Sequence, residues 1–195
     1  MKTIVGLGNP GRTFHGTRHN VGFVVIQLLA DRRQIPLNNR LVSPVDGRPA
    51  GVCGEYQVGA ETIRLLLPLT MMNESGEALR GLETAPQDLL VVCDDANLPL
   101  GTIRLRPEGS AGGHHGLLSC LEVLRTEQIP RLRIGVGTAE LPRDLRDFVL
   151  SPFRSAERPV ITQAIEQAAN ACDAWITEGI DAAMNQYNRT QGGES

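Results

Sequence analysis

Histidine is scarce in this 195-residue chain, and all four copies fall in two short glycine-rich stretches. His15 and His19 lie in Phe14–His19, and His114 with His115 follows Gly112-Gly113. Each stretch sits where a strand or loop feeds a helix. An apolar segment, Leu89–Cys93, runs into Asp94-Asp95, and another, ending at Leu67, precedes the turn Met72-Asn73-Glu74-Ser75. With Asn9 in Gly8-Asn9-Pro10-Gly11, these turns offer a base, a carboxylate to orient it, and neutral amides as donors to a developing oxyanion. That is a set for activating water on an acyl ester. Covalent acyl transfer is less favoured: Ser75 stands outside any GxSxG elbow, and no cysteine adjoins a histidine. Taken singly, each residue has a plainer use, the histidines as exposed side chains, the asparagines as caps, the aspartates as a solvated strand end. It is their convergence that carries chemistry.

The elements that must bring them together can be read from apolar runs and turn residues. A buried strand over Ile4–Leu7 opens into the glycine turn, and a helix follows over Val21–Ala30, with Thr17 or His19 as its N-cap. Residues 36–51, rich in proline and glycine, read as an irregular loop. Strands over Val52–Val58 and Thr62–Leu67 are joined by Gly59-Ala60-Glu61. A short helix is expected over Ser75–Glu83, then strands over Leu89–Cys93 and Thr102–Arg106, a glycine loop over Glu108–Gly113, a helix over His115–Leu124 and a strand over Arg131–Val136. The last helix is expected to start at Ser155, hold Pro159 in its first turn and end at Gly179. Alternating strands and helices indicate an α/β layer fold, and the 52–67 hairpin makes its sheet mixed. In such a sheet the turns at the carboxyl ends of strands meet in one crevice, here collecting Asn9, His19, Asn73, Asp94 and His114/His115.

Composition limits the remaining possibilities. The length and a 41% hydrophobic content suit one core, hence a single domain over residues 1–189 with a disordered tail over 190–195. Four widely spaced cysteines without metal-ligand spacing suggest reduced thiols in a cytoplasmic protein. No run approaches the ~18 apolar residues a membrane span needs, and the first strand leaves no room for a signal peptide. The net charge of −3 argues weakly against a nucleic-acid partner, but residues 1–150 balance at 16 basic and 16 acidic groups, which leaves room for a local basic patch. Of the 19 basic residues 18 are Arg, a bias that suits phosphate contacts and that a GC-rich genome also produces. The match of Gly6–Gly11 to GxGxxG is weak evidence for a dinucleotide site: Pro10 removes a needed N–H, the helix begins too late, and Asp31 ends a helix.

The segments IVGLGNPG (4–11), TRHNVGF (17–23), LLPLTMMNESG (66–76), LLVVCDDANLPLG (89–101), GGHHG (112–116), RLRIGVG (131–137) and FVLSPF (148–153) jointly resemble the bacterial peptidyl-tRNA hydrolase family, in its order and spacing. The resemblance implies a monomeric three-layer α/β/α sandwich around a mixed, mostly parallel sheet. It implies hydrolysis of the ester between a peptide and the 3′ adenosine of tRNA, without metal or other cofactor, membrane or protein partner, recycling tRNA from aborted translation. On the matching motifs His19 is the general base, Asp94 its carboxylate, and Asn9 the amide that helps tell blocked from free aminoacyl ends. Asn73 matches the asparagine of the MN turn, and Arg106 and Arg133 match basic positions that are candidates for phosphate contact. Three positions depart from the family: Phe14 replaces a common Tyr, Met71 an aromatic residue, and His115 an Asn that helps position substrate and water. Two other functions fit the same fold, a non-catalytic RNA-binding protein of the splicing type and a small-molecule esterase. Retention of His19 with Asp94 argues against the first.

Overall fold

The structure is a computed structural model that describes residues 1–140 and 143–188. The tail over 190–195 lies outside the described residues. In chain order the elements are β1 (Lys2–Gly6), α1 (Val21–Arg32), β2 (Asn39–Val42), β3 (Pro49–Val58), β4 (Glu61–Pro68), β5 (Leu89–Pro99), β6 (Ile103–Arg106), α2 (His115–Leu124), β7 (Arg131–Gly137), α3 (Leu145–Val149), α4 (Arg158–Glu178) and α5 (Ile180–Tyr187). Short 3-10 turns cover Arg18–Asn20 and Met72–Leu79.

The strands form one sheet in the order β2-β3-β4-β1-β5-β7-β6. Its centre, β4-β1-β5-β7, is parallel, and the edges β2-β3-β4 and β7-β6 are antiparallel. Side chains alternate across the pleat, so β5 feeds two cores at once. Leu90 and Val92 join the core of α1, α4 and α5 with Ile161 and Trp175, while Leu89, Val91 and Cys93 join the other, with Leu79, Leu117 and Cys120. Apolar residues on both faces of the central strands thus require helices on both sides, giving three layers.

One close approach sets the height of the first helix. A Cβ on Gly22 would lie 2.4 Å from the Val92 carbonyl oxygen and 2.6 Å from the Leu7 backbone. Only glycine lets the first turn of α1 press onto the ends of β1 and β5. The residues just before it, including His19, are thereby drawn over the middle of β5, where Asp94 lies.

Several elements differ from their sequence-based outlines. The 36–51 stretch holds β2 and the start of β3, paired antiparallel around Pro44 and Gly47. Pro49 is tolerated because it is the first residue of its strand. The expected helix over Ser75–Glu83 is the 3-10 segment Met72–Leu79, wound tightly where Gly76 meets the Ser119 backbone, 2.3 Å from where a Cβ would stand. Asn20, rather than Thr17 or His19, is the N-cap of α1, because Arg18–Asn20 forms its own 3-10 turn. β5 continues past Cys93 to Pro99 by pairing with β7. The last long helix begins at Arg158, with Pro159 in its first turn, and Gly179 at φ +89° ends it. In no sequence-based outline do α3 and α5 figure.

Candidate active site

Turns at the carboxyl ends of β1, β4 and β5 open into one cavity of about 590 Å³. Asn9 and His19 follow β1, Met71 and Asn73 follow β4, and Asp94 and Asp95 stand on β5, on either side of the point where strand order reverses about β1. The glycine loop before α2 and one face of α3 close the remaining sides, through Gly112, Gly113, His114, Leu145, Arg146 and Val149.

At the floor, His19 Nδ1 lies 2.7 Å and His114 Nε2 lies 3.0 Å from the same oxygen of Asp94, Oδ1. The two rings are 4.8 Å apart between centroids and tilted by 46°. The tautomers follow from these partners. Leu117 N–H donates to His114 Nδ1 at 3.1 Å, so the His114 proton sits on Nε2 and is donated to Asp94. Asp94 as a carboxylate can only accept, so His19 donates through Nδ1–H, and its Nε2 is left as the basic lone pair. Burial of Asp94 works to raise its pKa, but the electrostatic attraction of the His114 ring and its hydrogen bond, joined by those of His19, outweigh it and hold the carboxyl well below the usual range. Asp94 is 3% exposed. A buried carboxylate of this kind persists because two donors compensate it.

Asn9, 4% exposed, is fixed on three sides. Its backbone N–H donates to Asn20 Oδ1 and its carbonyl accepts from Asn20 Nδ2, both at 2.9 Å, while its Oδ1 accepts from Met72 N–H at 2.8 Å. With Oδ1 engaged, the side-chain NH₂ is the group Asn9 has to offer to the cavity, a neutral donor. His19, Asp94 and the Asn9 amide are thus held through residues 9, 19, 20, 72, 94 and 114, from four turns and strand β5.

Phe14, Met71, Asn73 and His115 also line the cavity, with Met71, Asn73 and His115 exposed at its mouth. Arg133 lines it too, but its guanidinium is already engaged, 3.2 Å from Asp95 Oδ2 and donating to the Ala111 carbonyl at 3.3 Å. It lies under Gly112, where a Cβ would come within 2.5 Å of Nη2 and where φ is +58°. Buried Arg131 ties the same loop, through the Ser110 carbonyl, to the segment before β7, through the carbonyls of Glu127 and Ile129. Arg106 is not part of the cavity; it stands exposed on the edge strand β6. Ser75 is fully buried and donates to the Met72 carbonyl, a structural role.

Sequence reasoning assigns His115 to the site and gives neighbouring His114 no role of its own, whereas His114 makes the buried contact with Asp94. The pair GGHHG cannot say which histidine faces inward, because that depends on helix phase: His114 is the N-cap of α2 and His115 its first residue. Asn20 and α3 were likewise without assignment; α3 has no buried residue to mark it.

His19, Asp94 and His114 are also the one group among the described residues with the ligand types and spacing of a metal site, their ligand atoms lying within 4.8 Å. Both histidines spend a ring proton on the same Asp94 oxygen, so a cation would have to displace two hydrogen bonds. Among the described residues no helix is long and apolar enough to cross a membrane.

Comparison with known proteins gives the chain's family. A peptidyl-tRNA hydrolase from Syntrophomonas wolfei is 43% identical over 192 residues, 96% of this chain and all of that protein, and one from Bacillus cereus strain Q1 is 42% identical with the same coverage. The crystal structure of peptidyl-tRNA hydrolase from Acinetobacter baumannii superposes with a TM-score of 0.85 at 34% identity, over 97% of this chain and 95% of that one. Residues 3–194 match the family described as peptidyl-tRNA hydrolase, and with relatives this similar along nearly their whole length, the chain belongs to that family.

Proposed function

We propose that this enzyme cleaves the ester between a blocked peptide and the 3′ end of tRNA, with water as nucleophile and His19 as general base. His19 Nε2 takes a proton from water as its oxygen attacks the ester carbonyl; the bond to the tRNA 3′ oxygen then breaks, and the proton passes from His19 to that oxygen. Asp94, ionised across the working pH range, holds the ring through Nδ1–H and stabilises the imidazolium. The Asn9 NH₂ donates to the developing oxyanion or to the first peptide carbonyl of the substrate. A free aminoacyl end presents an ammonium there, and an amide donor gives it no acceptor. The reaction uses no metal or other cofactor.

The rim residues Phe14, Met71, Asn73 and His115 contact the 3′ end and the peptide. Arg106 contacts phosphate, and Arg133 does so while bracing the glycine loop. The enzyme works as a monomer in the cytoplasm, without membrane or protein partner, and returns tRNA from aborted translation to use. The observation that carries this reading is the His19–Asp94–His114 chain at the floor of a cavity that Asn9 enters as a donor. The test is ester cleavage on one blocked aminoacyl-tRNA and its free counterpart, with the parent and His19→Ala. The expected result is cleavage of the blocked form only, lost in the variant. Tight tRNA binding without cleavage by the parent would instead favour a non-catalytic RNA-binding role.

A further inference from the structure

Arg18 is among the largest fully buried side chains, 2% exposed, and the reaction above gives it no part. Its Nη1 donates to Ser151 Oγ at 3.2 Å and to the carbonyls of Ser151 and Pro152, and its Nη2 meets Glu157 Oε2 at 2.6 Å. The rings of Phe148 and Phe153 lie 4.5 and 4.9 Å from the guanidinium carbon. The backbone reinforces the contact: Arg18 N–H donates to the Ser151 carbonyl at 3.1 Å, and Thr17 bridges Pro152. Glu157 Oε2 is itself steadied by Arg154 N–H at 2.7 Å.

A buried ion pair is seldom the most stabilising choice, since apolar side chains of similar size often do as well. What an arginine adds is direction, because its donors form a rigid fork that a lysine ammonium cannot reproduce. The direction matters here because of the neighbour. Arg18, His19 and Asn20 form a single 3-10 turn, and each points to a different partner: Arg18 to the 148–157 segment, His19 to Asp94, Asn20 to Asn9. The base is thus the middle residue of a turn pinned at both ends.

We infer that Arg18, held by Glu157, is a positioning residue that fixes His19 over Asp94. The inference rests on His19 being the base. Its test is a pair of double-mutant cycles: Arg18→Lys and Glu157→Gln, each alone and combined with His19→Ala, in single-turnover cleavage of a blocked aminoacyl-tRNA with excess enzyme, at a temperature where circular dichroism shows every variant folded. A misplaced base is costly, so Arg18→Lys is expected to lower the single-turnover rate constant at least ~10-fold when His19 is present. In the His19→Ala background it should cost nothing further, because the residue it positions is gone. Glu157→Gln, which keeps a hydrogen bond and loses the charge, should show a smaller loss with the same dependence on His19, and it carries the test if Arg18→Lys does not fold. Equal fold losses with and without His19, or a single-turnover rate constant within twofold of the parent in both variants, would overturn the inference and leave Arg18 a stabilising residue only. Parental turnover in His19→Ala itself would instead overturn the reading of the base, and the clamp with it.

Discussion

At the floor of the cleft, Asn9 and Asp94 are almost fully buried and their polar atoms are tied to His19, Asn20, Met72 and His114. At the mouth, Met71 is 45% exposed and Asn73 and His115 are open to solvent. The floor holds its groups in place before substrate arrives, each residue depending on the next. The mouth offers surface that can be exchanged one residue at a time. Losses at the floor should therefore be large and interdependent, and losses at the mouth small and additive.

The sharpest break of that contrast is His19→Ala, expected to lower cleavage by ~10²–10⁴ while tRNA binding persists, because it removes a base and no phosphate contact. Near-parental turnover would sink the mechanism. Asn9→Ala should cost ~10²–10³ in kcat if its amide serves the oxyanion. It also leaves the buried Met72 N–H unpaired, at a cost of roughly 1–3 kcal/mol in stability, measurable by urea unfolding.

Asp94→Asn should slow cleavage, since Nδ1–H of His19 loses a charged acceptor, and it should change how stability depends on pH. The folded-state pKa of Asp94 is depressed, so its ionisation stabilises the fold fully above the unfolded carboxyl value near ~3.9 and progressively less as pH falls below it toward the folded value. The parent should lose stability over that acidic window more steeply than the variant. Parallel curves of urea midpoint against pH would mean that Asp94 gains no stabilisation from its histidines.

Arg106→Ala should reduce the slope of log affinity against log salt by about 0.7–0.9 with little change in kcat, and an unchanged slope would place the phosphate contact elsewhere. The smallest effect is expected at the mouth: His115→Asn should leave turnover within about twofold of the parent, or slightly above it. A tenfold change in either direction would move His115 from mouth to floor.

The same division explains what the amino-acid order revealed. Ile4–Gly6 and Leu89–Cys93 are continuous apolar runs because both faces of their strands are covered, and Arg131–Val136 alternates Leu132, Ile134 and Val136 into one core with Arg131 and Arg133 on the other face; all three could be read directly. Edge strand β2 could not, because its residues are mostly exposed and backbone pairing with β3 defines it. In the site, His19, Asp94 and Asn9 sit at the ends of such runs and were legible from their turns. The choice between His114 and His115 was not, since one residue of helix phase decides which ring is buried. Nor was the hold on Arg18, which depends on a segment more than 130 residues away.

Synthesis order adds a constraint of its own, for β1 is made first yet lies between β4 and β5. As the chain emerges from the ribosome, residues 2–6 have no strand partner on either side until those of positions 61–95 are out. His19 then waits longer still: the histidine that shares its Asp94 oxygen arrives at position 114, and the carboxylate paired with neighbouring Arg18 at 157. Until residue 157 has been made, the turn Arg18–Asn20 therefore lacks the ion pair that ties it to the 148–157 segment.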